Sequence, residues 1–267
     1  MGIKDFYLKN KVAFIVGGRR GIGKASALAF AEAGADVAVA DIVTEGLEAT
    51  AEEIRKLGRR SLAIQLDITK KADVEKAVQK VVDELGSIDI LMNTPVMVRP
   101  TSLLDLDEEG WDLMLDISLK GYFLTSQAAA KRMIAQKRGG SIINMSSRSY
   151  VRPRERTGVY ATAKAGVVAL TGQLAMELGP YNIRANAIAP SVVTTEVVLE
   201  SEMMSTEERR KNIAAEIPLG RLSTPEEIAN VALFLASDGA SYISGVALIV
   251  DGGSMWVGAK NPPPPKK

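Results

Sequence analysis

Three polar side chains between residues 147 and 164 could do proton chemistry: the Ser147 hydroxyl, the Tyr160 phenol and the Lys164 ammonium, in the stretch SRSYVRPRERTGVYATAK. Tyr160 and Lys164 stand i, i+4, so a helix puts both on one face, a turn apart. The chain contains no histidine and no cysteine, which removes the usual neutral-pH acid/base and the usual thiolate nucleophile. Proton transfer must then use Tyr, Lys, Asp or Glu. A free phenol ionises near pH ~10, too high for a good general base, but a nearby cation stabilises the phenolate and lowers that value. Lys164 is placed to supply the cation. A Tyr-x-x-x-Lys pair alone occurs on many surface helices; Ser147, at the end of the apolar strand-like run SIINMS, makes the trio a candidate site.

A second site would have to bring a reaction partner to these groups, and the N-terminal part carries one. Val12 to Val16 (VAFIV) is a short continuous apolar run, as expected of a strand buried on both faces of a parallel sheet. It leads into Gly17-Gly18-Arg19-Arg20-Gly21-Ile22-Gly23 and then an Ala-rich amphipathic helix to about Glu32. Strand, glycine turn and helix form a nucleotide-binding crossover: glycines let backbone N–H groups approach a phosphate, and the helix N-terminus adds partial positive charge. A second strand, Asp36 to Asp41, ends in a carboxylate about 20 residues after the glycines, with Ile42 following. That carboxylate can accept from both hydroxyls of an adenine ribose and repels a 2′-phosphate, which favours NAD over NADP.

The remaining elements repeat the same unit. A charged helix over Thr44–Leu57 precedes a strand over Ser61–Leu66, with Asp67-Ile68 at its carboxyl end. A helix over Ala72–Leu85, a strand over Ile88–Met92 and a long helical pattern over Glu108–Gln136 follow, then a strand over Ile183–Ala189 and a closing strand within Ala247–Gly253. Alternating strands and helices with one glycine fingerprint predict an α/β fold: a single-domain, Rossmann-type, doubly wound parallel sheet of about seven strands flanked by helices. Residues 1–257 read as one dinucleotide-binding and catalytic domain, 191–217 as a mobile substrate lid, and 258–267, rich in proline, as a disordered tail.

With 46% hydrophobic residues the chain can bury a large core, and a net charge of +1 offers no broad basic face for nucleic acid or anionic membrane. The absence of cysteine fits a reducing compartment. No signal-peptide run and no membrane-length apolar segment is present, so a cytoplasmic protein is expected.

The glycine loop spaced G-x-x-x-G-x-G and the Ser147, Tyr160, Lys164 trio resemble the classical short-chain dehydrogenase/reductase family, from about Asn10 to Gly253. The resemblance implies that Ser147 steadies a substrate oxygen, Tyr160 transfers the proton, and Lys164 holds the nicotinamide ribose while lowering the tyrosine's pKa. It further implies that Asp67 and the Ile68 N–H contact the adenine, that Asn93 has a cofactor or scaffold role, and that Val193 N–H and the Thr195 hydroxyl meet the nicotinamide carboxamide. A basic residue such as Arg20 before the second glycine is an NADP feature in that family. A small-molecule alcohol or ketone substrate and a homotetramer, with two long helices packed across a symmetric interface, are also implied.

Several positions depart from the family pattern. Val16 replaces a threonine whose hydroxyl tethers the glycine turn; Asn93-Thr94-Pro95-Val96 replaces Asn-Asn-Ala-Gly; Ser118 replaces an asparagine whose main-chain carbonyl binds a water leading to the lysine; Ser191 replaces a glycine. Ser118 preserves that relay if the backbone carries it. Arg148, Arg152, Arg154 and Arg156, offset by Glu155 alone, either grip an anionic substrate or form a solvated loop. Three functions remain open: an NAD(H)-dependent oxidoreductase interconverting a secondary alcohol and a ketone; an NADPH-dependent 3-oxoacyl-thioester reductase, suggested by the arginine loop and Arg138; and a nucleotide-binding protein with weakened catalysis.

Overall fold

The computed structural model describes residues 6–256, so the tail from 258 lies outside the described residues. Seven strands form one parallel sheet: β1 (Val12–Val16), β2 (Asp36–Asp41), β3 (Ser61–Gln65), β4 (Ile90–Asn93), β5 (Gly140–Met145), β6 (Ile183–Pro190) and β7 (Ala247–Val250). Their order is β3-β2-β1-β4-β5-β6-β7. The chain winds outward in one direction from β1 and in the other from β4, which opens a crevice at the carboxyl ends of those two strands.

Continuous apolar runs follow from burial on both faces. Ala13 and Ile15 project into one hydrophobic cluster and Phe14 and Val16 into the other, all at most 1% exposed. One face is covered by α1 (Gly21–Glu32), α2 (Leu47–Lys56) and, further along the chain, the helix Pro225–Ala236; the other by α3 (Lys71–Leu85) and the helix Gly121–Gln136. Helix Pro225–Ala236 starts with proline in its first turn and a reciprocal Thr224–Glu227 capping box, satisfying donors that the first turn leaves free.

The long helical pattern over 108–136 is not one helix. It is α4 (Glu108–Leu115), capped by Asp107, then a π-helical segment, Asp116–Lys120, then α5 (Gly121–Gln136). Buried positions recur four apart across it, at Met114, Ser118 and Tyr122, so periodicity does not reveal it, and such turns gather at functional sites. Ser118 sits within it, fully buried. The 21-residue α6 (Gly158–Leu178) carries the Tyr160–Lys164 pair and packs small residues such as Ala161 and Ala163 inward.

The segment 191–217, expected as a mobile lid, contains short elements: α7 (Glu196–Leu199), a 3-10 turn at Glu202–Met204 and α8 (Glu207–Ala215). Thr195 and Thr206 cap the two helices, and Met204 is its fully buried anchor. The Pro225–Ala236 helix is α9 in this order. No described helix is long and apolar enough to cross a membrane.

Candidate active site

β5 delivers Ser147. Two residues after the strand, its Oγ accepts from Ser149 N at 3.2 Å and caps a 3-10 turn, Arg148–Tyr150. Strand and helix are then locked together twice: Ser146 Oγ donates to the Lys164 carbonyl at 2.9 Å, and Lys164 Nζ donates to the Met145 carbonyl at 2.7 Å. These bonds fix the start of α6 beside the end of β5 and bring the Ser147 hydroxyl close enough to the Tyr160 phenol to lower its pKa.

The electrostatics differ from the sequence expectation. Lys164 was expected to acidify Tyr160. Burial pushes the Tyr160 phenol up, and the hydrogen bond with Ser147 opposes that shift. Lys164, 1% exposed, is itself pulled down to about 7 by burial. Its Nζ lies 5.9 Å from the Tyr160 ring centre and 4.8 Å from that of Tyr122. The i, i+4 spacing does put both residues on one helix face, but that face is pressed against β5, so the lysine stem runs beneath the tyrosine toward Met145.

The glycine turn has the form of a phosphate cradle. Gly17 has φ +84°, a left-handed conformation that favours glycine, and a Cβ on Gly23 would lie 2.0 Å from the Gly17 carbonyl oxygen. Ile22 is partly buried in the first turn of α1. Thr94 Oγ1 donates to the Val16 carbonyl at 2.8 Å and approaches that of Gly17 at 3.2 Å. The hydroxyl lost at Val16 is therefore supplied from β4, by a residue that itself departs from the family pattern. Arg19 has a buried Nε with no hydrogen-bond partner, and Arg20 reaches Glu200 of the lid at 3.8 Å.

Asp41 and Ile42 close β2; Asp41 Oδ1 accepts from Val43 N at 3.1 Å, and Ile42 is exposed. Asp67 forms a local turn, accepting from Thr69 N and Thr69 Oγ1 at 3.0 and 2.7 Å, with Lys70 at 3.2 Å from its other oxygen. Burial raises its pKa, but the Thr69 and Lys70 contacts outweigh that and leave it lowered. The helix that follows opens at Lys71 without a side-chain cap, so Asp67 organises the preceding turn. Ile68 is buried beneath the start of α5.

Asn93 is wholly occupied within the fold: its Nδ2 donates to Asn144 Oδ1 at 3.0 Å and Ser126 Oγ at 3.3 Å, and its Oδ1 accepts from Thr125 Oγ1 at 2.8 Å. Of its two expected roles, the side chain fills the scaffold one. Ser118 Oγ accepts from Met97 N at 3.4 Å. Val193 is buried, and Thr195 Oγ1 accepts from Val198 N at 3.4 Å as the cap of α7.

The arginines after Ser147 do not converge on one anion. Arg148, 7% exposed, donates to Ser254 Oγ at 2.8 Å, and Arg152 donates to the Ser254 carbonyl at 2.8 Å. Burial lowers the Arg148 pKa, with Arg154 and Arg152 adding to the effect. Arg154 reaches Glu216 at 3.5 Å and Arg156 the Pro100 carbonyl at 3.5 Å. The loop is thus tied to Ser254 after β7 and to Glu216, while Arg152, Pro153, Glu155 and Arg156 remain exposed. Arg138 donates through one guanidinium nitrogen to the buried Asp89 at 2.6 Å and to Ser87 at 2.9 Å, while half of its side chain stays exposed.

Two residues absent from the sequence reading join the site. Thr94 was signalled by the missing hydroxyl at Val16. Tyr122, fully buried, donates to the Pro95 carbonyl at 2.9 Å and accepts from Lys164 Nζ at 3.3 Å. Its signal was a phenol one helical turn beyond Ser118 in an otherwise core-facing pattern.

The family model described as enoyl-(acyl carrier protein) reductase matches residues 16–255. An NAD-dependent glycerol dehydrogenase from Listeria innocua is 43% identical over 94% of this chain and 96% of its own length. A 3-oxoacyl-[acyl-carrier-protein] reductase from Thermotoga maritima is 39% identical over 92% of this chain and 98% of its length. Among solved structures, a short-chain type dehydrogenase/reductase from Mycobacterium marinum is 38% identical with a TM-score of 0.88, covering 94% of this chain and 98% of that one. Glycine cradle, strand order, site geometry and these likenesses agree: the chain belongs to the classical short-chain dehydrogenase/reductase family.

Proposed function

We propose that this chain is an NAD(H)-dependent oxidoreductase that interconverts a secondary alcohol and a ketone, with a small polyol as substrate. The observation that carries the reading is the Tyr160 phenol, its raised pKa opposed by the neighbouring Ser147 hydroxyl, on the same helix as a fully buried Lys164 that is bonded to the end of β5. NAD, when bound, would supply the hydride acceptor or donor, and the chain's own residues would bind it, orient it and move the proton. Gly17, Gly21, Gly23 and the first turn of α1 hold the pyrophosphate, Asp41 holds the adenine ribose, and the Val193–Thr195 segment holds the carboxamide end. Ser147 steadies the substrate oxygen, and Tyr160 removes or returns its proton. Lys164 grips the nicotinamide ribose and, when charged, favours the phenolate.

The glycerol dehydrogenase likeness supports NAD and a polyol. NADP use has one observation in its favour, the unpartnered buried Arg19 Nε, and the carboxylate of Asp41 against it. The carrier-protein reading keeps a half-exposed Arg138, with one nitrogen tied to Asp89, and the likeness to a 3-oxoacyl-[acyl-carrier-protein] reductase. A cytoplasmic homotetramer is part of the proposal, supported by the absence of cysteine and by the exposed Trp111, Leu113 and Phe123 along α4 and α5. The test is a panel of polyols, secondary alcohols and acetoacetyl thioesters with each cofactor, followed by reduced-nicotinamide absorbance. Turnover of a polyol with NAD is expected; turnover confined to thioesters with NADPH would overturn the reading.

A further inference from the structure

An ammonium has three protons to donate and no acceptor capacity, so its direction is set by the oxygens around it. For Lys164 those oxygens are the Met145 carbonyl at 2.7 Å and the Tyr122 hydroxyl at 3.3 Å. Tyr122 is 0% exposed, and its own proton is committed to the Pro95 carbonyl at 2.9 Å, which turns its lone pairs toward the lysine. The result is a directed chain from Lys164 through Tyr122 to Pro95. In such a chain each bond polarises the next, so the phenol is a better acceptor than an isolated hydroxyl.

We propose that Tyr122 is a positioning residue of the proton-transfer site: its hydroxyl aims the Lys164 ammonium, keeps it charged, and ties it to the loop after β4. The inference rests on the functional reading of Tyr160 and Lys164 given above. It adds a direct side-chain partner for the lysine to the water relay that the family resemblance gives to the main chain at Ser118, whose hydroxyl faces Met97 N. It also gives Pro95 a purpose. A residue that cannot donate a backbone hydrogen bond still offers its carbonyl, and that carbonyl orients the phenol.

The groups packed around Lys164 are few. Tyr160 shares its helix, Tyr122 comes from α5, and the end of β5 contributes the neutral Met145 carbonyl. Burial alone accounts for the downward shift of Lys164, so no carboxylate offsets the loss of an acceptor. Removing the Tyr122 oxygen should make the charged lysine harder to hold and, through it, the Tyr160 phenolate harder to form.

The experiment compares wild type with Tyr122→Phe in two ways. In the cofactor-free protein, the Lys164 side-chain signal is followed by nitrogen NMR against pH and assigned by its loss in Lys164→Met. Its midpoint should fall by about half a unit or more in Tyr122→Phe. In the oxidation direction, the acidic limb of the kcat profile should move to higher pH, while the KM for the alcohol changes little. A folded Tyr122→Phe variant with an unchanged Lys164 midpoint overturns the inference, whatever its thermal stability. Site-specific 3-fluorotyrosine at 122, which keeps the shape and weakens the oxygen as an acceptor, should shift the midpoint the same way by less. It decides the matter if the phenylalanine variant does not fold. Absence of turnover in the wild type would instead count against the functional reading, and the NMR midpoint would still decide this one.

Discussion

Thr94 Oγ1 donates a 2.8 Å hydrogen bond to the carbonyl of Val16, holding the end of β4 against the glycine turn that follows β1. The contact restores a tether that Val16 cannot make. Losing a bond of this kind removes on the order of 1 kcal/mol. Thr94→Val should therefore weaken NADH binding several-fold in a fluorescence titration while leaving the far-UV spectrum unchanged. Unaltered affinity would show that the turn holds its shape without the hydroxyl.

Buried Lys164 makes stability depend on pH in a definite direction. Its pKa falls from 10.5 to about 7 in the folded chain, so between those values the unfolded state binds the proton and the folded state does not. Stability must rise with pH across that window, and the full penalty of burying the charge applies below pH 7. Chemical denaturation of the cofactor-free protein at pH 7 and pH 9 should show wild type gaining roughly 2 kcal/mol relative to Lys164→Met. Parallel profiles for the two proteins would mean that the lysine is not desolvated in solution.

Cofactor choice should turn on Asp41, the half-buried last residue of β2. Asp41→Ser removes the charge that repels a 2′-phosphate. The ratio of kcat/KM for NADP to that for NAD should rise at least ~10-fold, about the effect of 1.4 kcal/mol. A ratio that does not move would place the adenine ribose elsewhere.

Legibility in the sequence followed the range of the interactions involved. VAFIV and DVAVAD announced themselves because strands buried on both faces are apolar throughout, and the glycine turn because its spacing is local. The π-helical break at Asp116–Lys120 stayed hidden, since it preserves the inward periodicity of the helices on either side. The lid helices are too short and polar to give a pattern; only Thr195 and Thr206 mark their starts. The arginines after Ser147 could be counted but not paired, because their main partner, Ser254, lies 106 residues from Arg148. Asn93 was visible, yet its three side-chain partners come from α5 and β5. The expected acidification of Tyr160 by Lys164 assumed that a shared helix face means a shared contact. The depth of the lysine against Met145 and Tyr122 set the outcome instead.

The claim on which the account rests is that the Tyr160 hydroxyl exchanges the substrate proton. The most direct measurement is turnover of the best polyol by Tyr160→Phe, with NADH affinity measured on the same preparation. The account predicts that affinity is preserved and that kcat falls by roughly 10²–10⁴-fold, the contribution of a positioned acid/base group. A variant that binds NADH normally and turns over within a few-fold of wild type would contradict it.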